Sequence, residues 1–159
     1  MSTSRIVTLI RHAHADNARP GQEDIDRPLS ARGQREAGSA AATFAAAGKV
    51  PDLILVSTAR RARATADEFV RTLGLDPQAL QVVEKLYLAP VDSLLSVLQG
   101  AQDTHRHIAV VGHNPGLSEF LRTLTGDALA TDLPTAAVRS VRCDLRHWRQ
   151  LRPGTCKKE

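Results

Sequence analysis

Aromatic side chains are scarce: three phenylalanines, one tyrosine and one tryptophan make up 3% of the 159 residues. Single-stranded nucleic acid is held by rings on which bases stack, so nucleic-acid binding is disfavoured as the main activity. Cysteine is rarer still. Cys143 and Cys156 stand late in the chain in no metal-ligand spacing, and read as free thiols in a reducing compartment rather than as a disulfide framework. Long apolar runs are missing as well. The run Ile6-Val7-Thr8-Leu9-Ile10 near the N-terminus falls far short of the ~20 residues of a membrane span and is too short for a secretory signal core. A cytoplasmic protein with no membrane contact is expected. No Walker-type glycine loop, no carboxylate cluster for Mg²⁺ and no nucleophile elbow around a serine occurs, which sets aside three common routes to phosphoryl and acyl transfer.

What is present is an alanine-rich chain with 42% hydrophobic and 24% charged residues, enough to close a core. Its length suits a single domain over residues 1–159. Lysine and arginine number 21 against 17 acidic residues, a net charge of +4. The basic residues are mostly arginines, densest at Arg60-Arg61-Ala62-Arg63 and between Arg139 and Lys158. The planar guanidinium fork matches phosphate oxygens, so a phosphorylated substrate is the reading to test.

Hydrophobic periodicity gives the fold class. The β-branched run Ile6–Ile10 reads as a strand covered on both faces, and residues 12–30, with Pro20, Gly21 and Pro28, as a loop ending at a possible N-cap, Ser30. Ala37, Ala40, Ala41, Phe44 and Ala47 then recur at helical spacing until Gly48 and Pro51. Leu53–Val56 is a second strand, and Ala62, Ala66, Phe69, Val70 and Leu73 mark a second helix stopped by Gly74. Leu80–Val83 is a weak third strand, followed by a helix on Val91, Leu94, Leu95 and Leu98. Ile108–Val111 is a fourth strand, and Leu117, Phe120, Leu121 and Leu124 a fourth helix. Ala136–Leu145 and His147–Leu151 read as closing strands at an edge. Alternation of this kind implies a three-layer α/β/α sandwich with a mostly parallel central sheet.

Ligands of such sheets sit beyond the carboxyl ends of the strands. Arg11-His12 follows the first strand, Ser57 to Arg61 the second and Gly112-His113 the fourth. Two imidazoles and several fixed cations at one edge are the parts that phosphoryl transfer needs: a nucleophile that can carry phosphate, and positive charge for the equatorial oxygens. The cations would stand in for a metal. His12-x-His14 with His105-x-His107 could otherwise suggest zinc, but no carboxylate or thiol spacing supports it, so no metal or other cofactor is expected. His105, His107 and His147 read as surface residues.

Leu9-Ile10-Arg11-His12-Ala13-His14-Ala15 resembles the R-H-G signature of the histidine phosphatase, or phosphoglycerate mutase-like, superfamily in its R-H-A variant. Ser57 to Thr65 resembles that superfamily's S-x-x-x-R-A-x-Q-T segment, with Ala64 where glutamine is usual, and Val110 to Asn114 its second-histidine motif. Together with Asp26 to Gly33, the order and spacing over residues 5–125 are similar to the SixA-type phosphohistidine phosphatases. The resemblance implies a phosphoglycerate mutase-like fold and makes His12 the nucleophile that becomes phosphohistidine, with Arg11 a phosphate ligand beside it. It makes His113 the second pocket histidine, and places the second arginine four positions after the serine, at Arg61, with Arg60 the rival.

The resemblance leaves the substrate open. Larger relatives carry an acid after the third strand to protonate a leaving oxygen; here Glu84 is the candidate and Asp92 the second, neither in a convincing match. An imidazole leaving group needs less help than an alkoxide, and the chain lacks long lid-building insertions. A phosphorylated histidine in a protein is therefore expected first, a small phosphate ester second and mutase chemistry third. The rival from another class is a non-catalytic phosphate- or nucleic-acid-binding module.

Overall fold

The computed structural model describes residues 3–159. Among them, six strands form one sheet: β1 (Ser4–Arg11), β2 (Leu53–Val56), β3 (Leu80–Val82), β4 (His107–Gly112), β5 (Val138–Asp144) and β6 (Cys156–Lys158). The spatial order is β3-β2-β4-β1-β5-β6. The first four run parallel, β5 is antiparallel to β1, and β6 is antiparallel to β5.

Four helices cover the sheet: α1 (Ala31–Ala46), α2 (Arg60–Leu73), α3 (Val91–Gln99) and α4 (Gly116–Thr125). Successive strand residues face opposite sides, so the central strands feed two cores. Ile10, Ile54, Val56, Ala109 and Val111 pack against Ala41 and Phe44 of α1 and Ala62, Ala66 and Phe69 of α2. Val7, Leu9, Leu55, Ile108 and Val110 pack against α3 and α4 through Leu94, Leu98, Leu117, Phe120 and Leu124. This is the three-layer α/β/α arrangement expected of the alternating pattern.

Two glycines fix the loops that carry the site. Ser30 caps α1, its Oγ accepting from the Gly33 amide at 3.0 Å, a bond that stabilises a helix by about 1 kcal/mol. The same turn presses on the loop after β1, where a Cβ on Gly33 would lie 1.9 Å from the His14 carbonyl oxygen. At Gly116 a Cβ would lie 2.0 Å from the Ala89 carbonyl oxygen, so α4 can start against the segment before α3 only with glycine there.

Three expectations are corrected. Cys143 and Cys156 are joined in a disulfide, because β5 and β6 pair them directly across the two strands. The thiol argument for a reducing compartment therefore falls away. His147–Leu151 is not a strand: residues Trp148–Gln150 form a single 3-10 turn, with Trp148 fully buried in the core beside α3 and α4. His107 is not on the surface. It begins β4 one residue ahead of the apolar run and shares a face with Ala109, where its ring packs edge-on to Phe44 and its Nε2 lies 2.7 Å from the Thr8 hydroxyl. His105 is half-buried, and His147 bonds Asp103 in a half-exposed position. No helix among the described residues is long and apolar enough to cross a membrane.

Candidate active site

Parallel pairing brings the three motifs to one edge. Arg11 is in register with Gly112, and Val56 with Val111, so β1, β2 and β4 end side by side. The chain continues the ladder for one more step: the His12 amide donates to the Gly112 carbonyl at 3.0 Å, and the Ser57 amide to that of Val111 at 3.1 Å. His12, Ser57 and His113 thus leave adjacent strands next to one another. The ring centroids of His12 and His113 are 5.2 Å apart.

His12 Nδ1 lies 2.7 Å from the Ala13 carbonyl oxygen. A carbonyl can only accept, so Nδ1 carries the proton and Nε2 is unprotonated, its lone pair accepting from the Arg61 Nε–H. Burial lowers the His12 pKa to about 4, helped by the positive charges of Arg61, Arg11 and Arg27 and opposed by the Ala13 bond. Burial also takes His113 down to about 3, with His12 and Arg61 adding to the effect. Both rings are neutral at pH 7.

Arg61 holds the centre. Its side chain is 3% exposed, its Nε lies 3.3 Å from His12 Nε2, and its Nη2 lies 3.4 Å from His113 Nδ1. A guanidinium only donates, so His113 Nδ1 accepts and its Nε2–H points to the Ser57 hydroxyl at 2.8 Å. Arg11 lies close enough to depress both histidines by its charge. Its Nη1 donates to the Leu133 carbonyl at 2.9 Å, while its buried Nε meets no hydrogen-bond partner among the described residues. An unpaired buried donor costs ~1–3 kcal/mol, which an incoming anionic oxygen would relieve. Arg60, the first residue of α2, is exposed.

Four further residues enter the site without having been singled out. Asp24 accepts from Arg61 at its backbone oxygen (2.7 Å) and at Oδ2 (3.0 Å), and from Arg27 at Oδ1 (2.9 Å). The Tyr87 hydroxyl donates to Oδ2, and its ring stands edge-on to His113 at 5.5 Å. The bond from Tyr87, with those from Arg27 and Arg61, holds the Asp24 carboxyl well below the usual carboxylate range against the opposing effect of burial. Burial and the Asp24 charge push the Tyr87 phenol up. Ser57 orients His113, and the Thr65 hydroxyl accepts from the Ala13 amide at 3.0 Å while donating to the Arg61 carbonyl at 2.8 Å, tying α2 to the His12 loop. Ser57 and Thr65 lie inside the quoted motif; Asp24 and Tyr87 carry only a weak signal, polar residues in loops that border the strand ends.

Glu84 is exposed in the 3-10 turn Glu84–Leu86, and Asp92 is exposed on the first turn of α3. His14 lies outside the cluster, with Nδ1 2.7 Å from the Ser30 hydroxyl. A groove of about 900 Å³ between α1 and the β5–β6 edge contains none of the site residues. Among the described residues no three histidine, cysteine, aspartate or glutamate side chains gather as a metal site requires.

The neutral histidines carry a measurable consequence. Folding keeps both rings from protonating, so stability is lost as pH falls from the unfolded value near 6.5 toward 4. The ring resonances of His12 and His113 are expected to stay in their neutral positions from pH 7 to 5 in an NMR titration. Midpoints near 6.5 would contradict the burial argument.

An α/β sheet that gathers two imidazoles and a buried guanidinium at the ends of its parallel strands brings together the parts that phosphoryl transfer uses. A family model described as the histidine phosphatase superfamily (branch 1) matches residues 7–86. An uncharacterized protein of Mycobacterium tuberculosis is 33% identical over 151 residues, covering 89% of this chain and 92% of the relative. The chain belongs to the histidine phosphatase superfamily and is a phosphatase. A crystal structure of an Agrobacterium tumefaciens protein, named by inference as the phosphohistidine phosphatase SixA, is 34% identical with a TM-score of 0.78, covering 86% of this chain and 90% of that one. The protein histidine phosphatase SixA bound to tungstate shares the fold, with a TM-score of 0.82 at 23% identity over 97% of this chain and 94% of that one.

Proposed function

We propose that this phosphatase removes the phosphoryl group from phosphohistidine in a protein, through a covalent phosphohistidine on His12. The observation that carries the reading is the unprotonated Nε2 of His12, which accepts from the buried Arg61 while the ring proton sits on Nδ1. That nitrogen, released as Arg61 turns its donors to the substrate, attacks phosphorus in line while Arg11, Arg61 and His113 hold the equatorial oxygens. The P–N bond to the substrate ring breaks, and its electron pair leaves with the imidazole. Water then attacks phosphorus on His12, the new P–N bond breaks, and inorganic phosphate departs. The cations supply the charge that a metal supplies in other phosphoryl-transfer sites, so no cofactor is required.

His113 changes role on binding. Its Nδ1 accepts from Arg61 in the free protein, and an arriving dianion draws a proton onto that nitrogen, which then donates to a phosphoryl oxygen.

The leaving group favours phosphohistidine over an ester. No carboxyl group in hydrogen-bond contact with the histidine pair can give up a proton: Asp24 is ionised, and Glu84 and Asp92 stand exposed outside the cluster. An alkoxide needs such a donor, whereas imidazole, with a conjugate-acid pKa of about 6.5, needs far less.

The test assays the purified protein, with a chelator present, on a phosphohistidine peptide and on alkyl phosphate esters. The peptide is expected to have the higher kcat/KM, and acid-labile, base-stable label should appear on the protein. Higher kcat/KM on the alkyl esters would move the assignment to a small-molecule phosphomonoesterase. Salt-sensitive binding to nucleic acid with no phosphoenzyme would make the chain a binding module.

A further inference from the structure

We propose that Asp24 selects a nitrogen leaving group: its carboxylate accepts a hydrogen bond from the far ring N–H of the departing imidazole and so favours cleavage of a P–N over a P–O bond. The proposal rests on the phosphohistidine reading and adds to it the residue that discriminates.

The geometry places Asp24 at the solvent-exposed edge of the histidine–arginine cluster. One guanidinium separates its Oδ2 from the His12 nucleophile, Nε of Arg61 lying against His12 and Nη2 against the carboxylate. The Asp24 side chain is nevertheless 44% exposed, so a group entering from solvent reaches it. A carboxylate offers about four acceptor positions. Arg61 and Tyr87 occupy Oδ2 and Arg27 occupies one position on Oδ1, which leaves Oδ1 able to accept once more. The donors facing Asp24 are thus Arg27 of its own loop, Arg61 of α2 and Tyr87 of the segment before α3, and all of them favour its charge.

That charge separates the two chemistries. In the imidazolium form of phosphohistidine the far nitrogen carries a proton. When His12 Nε2 bonds to phosphorus and the substrate P–N bond breaks, the electron pair stays on the near nitrogen and the ring departs neutral. A charge-assisted bond from the far N–H to Asp24 holds the bound substrate in this proton-bearing form, so that the ring departs as neutral imidazole and not as the far poorer leaving group imidazolate. An alkoxide leaving at the same place gains no such bond and meets a full negative charge. The Tyr87 hydroxyl cannot serve it as an acid, because its proton is already donated to Asp24.

Asp24 also clamps Arg61, so a fall in activity alone would be uninformative. The decisive quantity is the ratio of kcat/KM on a phosphohistidine peptide to kcat/KM on p-nitrophenyl phosphate, whose phenolate leaves without a proton. In Asp24→Asn this ratio is expected to fall on the order of ten- to a hundredfold, the scale of one hydrogen bond to a charged group. Equal proportional losses on both substrates would reduce Asp24 to a positioning residue and overturn the proposal, as would an unchanged or increased ratio. N-Phosphoimidazole, a small P–N compound whose leaving ring carries the same far nitrogen, keeps the two readings apart. A wild-type protein inactive on the phosphohistidine peptide overturns the substrate assignment, and Asp24 is then judged by the same ratio on N-phosphoimidazole.

Discussion

His12→Ala is expected to lower kcat by on the order of 10⁵-fold or more while leaving the protein folded. The size follows from the proposed role: a covalent route has no partial substitute once its nucleophile is gone, and losses on that scale accompany such removals. Folding should survive because His12 is only half-buried and belongs to none of the three hydrophobic clusters. Its hydrogen bonds in the ladder come from the backbone, which alanine keeps: the amide to Gly112 and the carbonyl accepting from Ala136. The check is turnover of p-nitrophenyl phosphate beside a thermal melt. A folded variant within tenfold of wild type, or one that still traps labelled phosphate on the protein, would remove His12 from the chemistry.

What was legible in the sequence was whatever local pattern controls. The buried strands β1, β2 and β4 are short apolar runs, and α1, α2 and α4 carry their stripes at helical spacing. Because those three strands lie adjacent and parallel, motifs that follow them were bound to meet, which is why Arg11, His12, Arg61 and His113 could be named together. The disulfide was hidden because β6 is a three-residue strand, Cys-Lys-Lys, with no apolar alternation to announce it. His107 was misjudged because burial of a polar ring depends on partners from β1 and α1, Thr8 and Phe44, far away in sequence. Asp24 and Tyr87 are the same case within the site. They stand 63 residues apart, and nothing local in either segment says that a carboxylate and a phenol will meet beside an arginine. Periodicity locates elements; it does not report contacts between loops.

The arginine pair gives the second large effect. Arg61→Ala is expected to cost ~10²–10³-fold in kcat/KM, the loss typical of removing one preorganised donor from a site of developing charge. Arg60→Ala should stay within about twofold. One residue along a helix turns the side chain by roughly 100°, so adjacent arginines cannot both enter the pocket. The structure puts Arg61 inside, 3% exposed and within 3.3 Å of His12 Nε2, and leaves Arg60 in solvent, where a charge contributes little. Part of the Arg61→Ala loss could come through stability, because Asp24 would keep its charge with Arg27 as its one remaining cationic partner. Arg61→Lys separates the two causes. Lysine restores a positive charge near Asp24 but lacks the planar fork that contacts His12, His113 and Asp24 at once, so the melting temperature should recover while kcat/KM remains low. A larger loss in Arg60→Ala than in Arg61→Ala would place the wrong arginine in the pocket, and full recovery of activity by lysine would mean that charge alone, without the fork, is what the site requires.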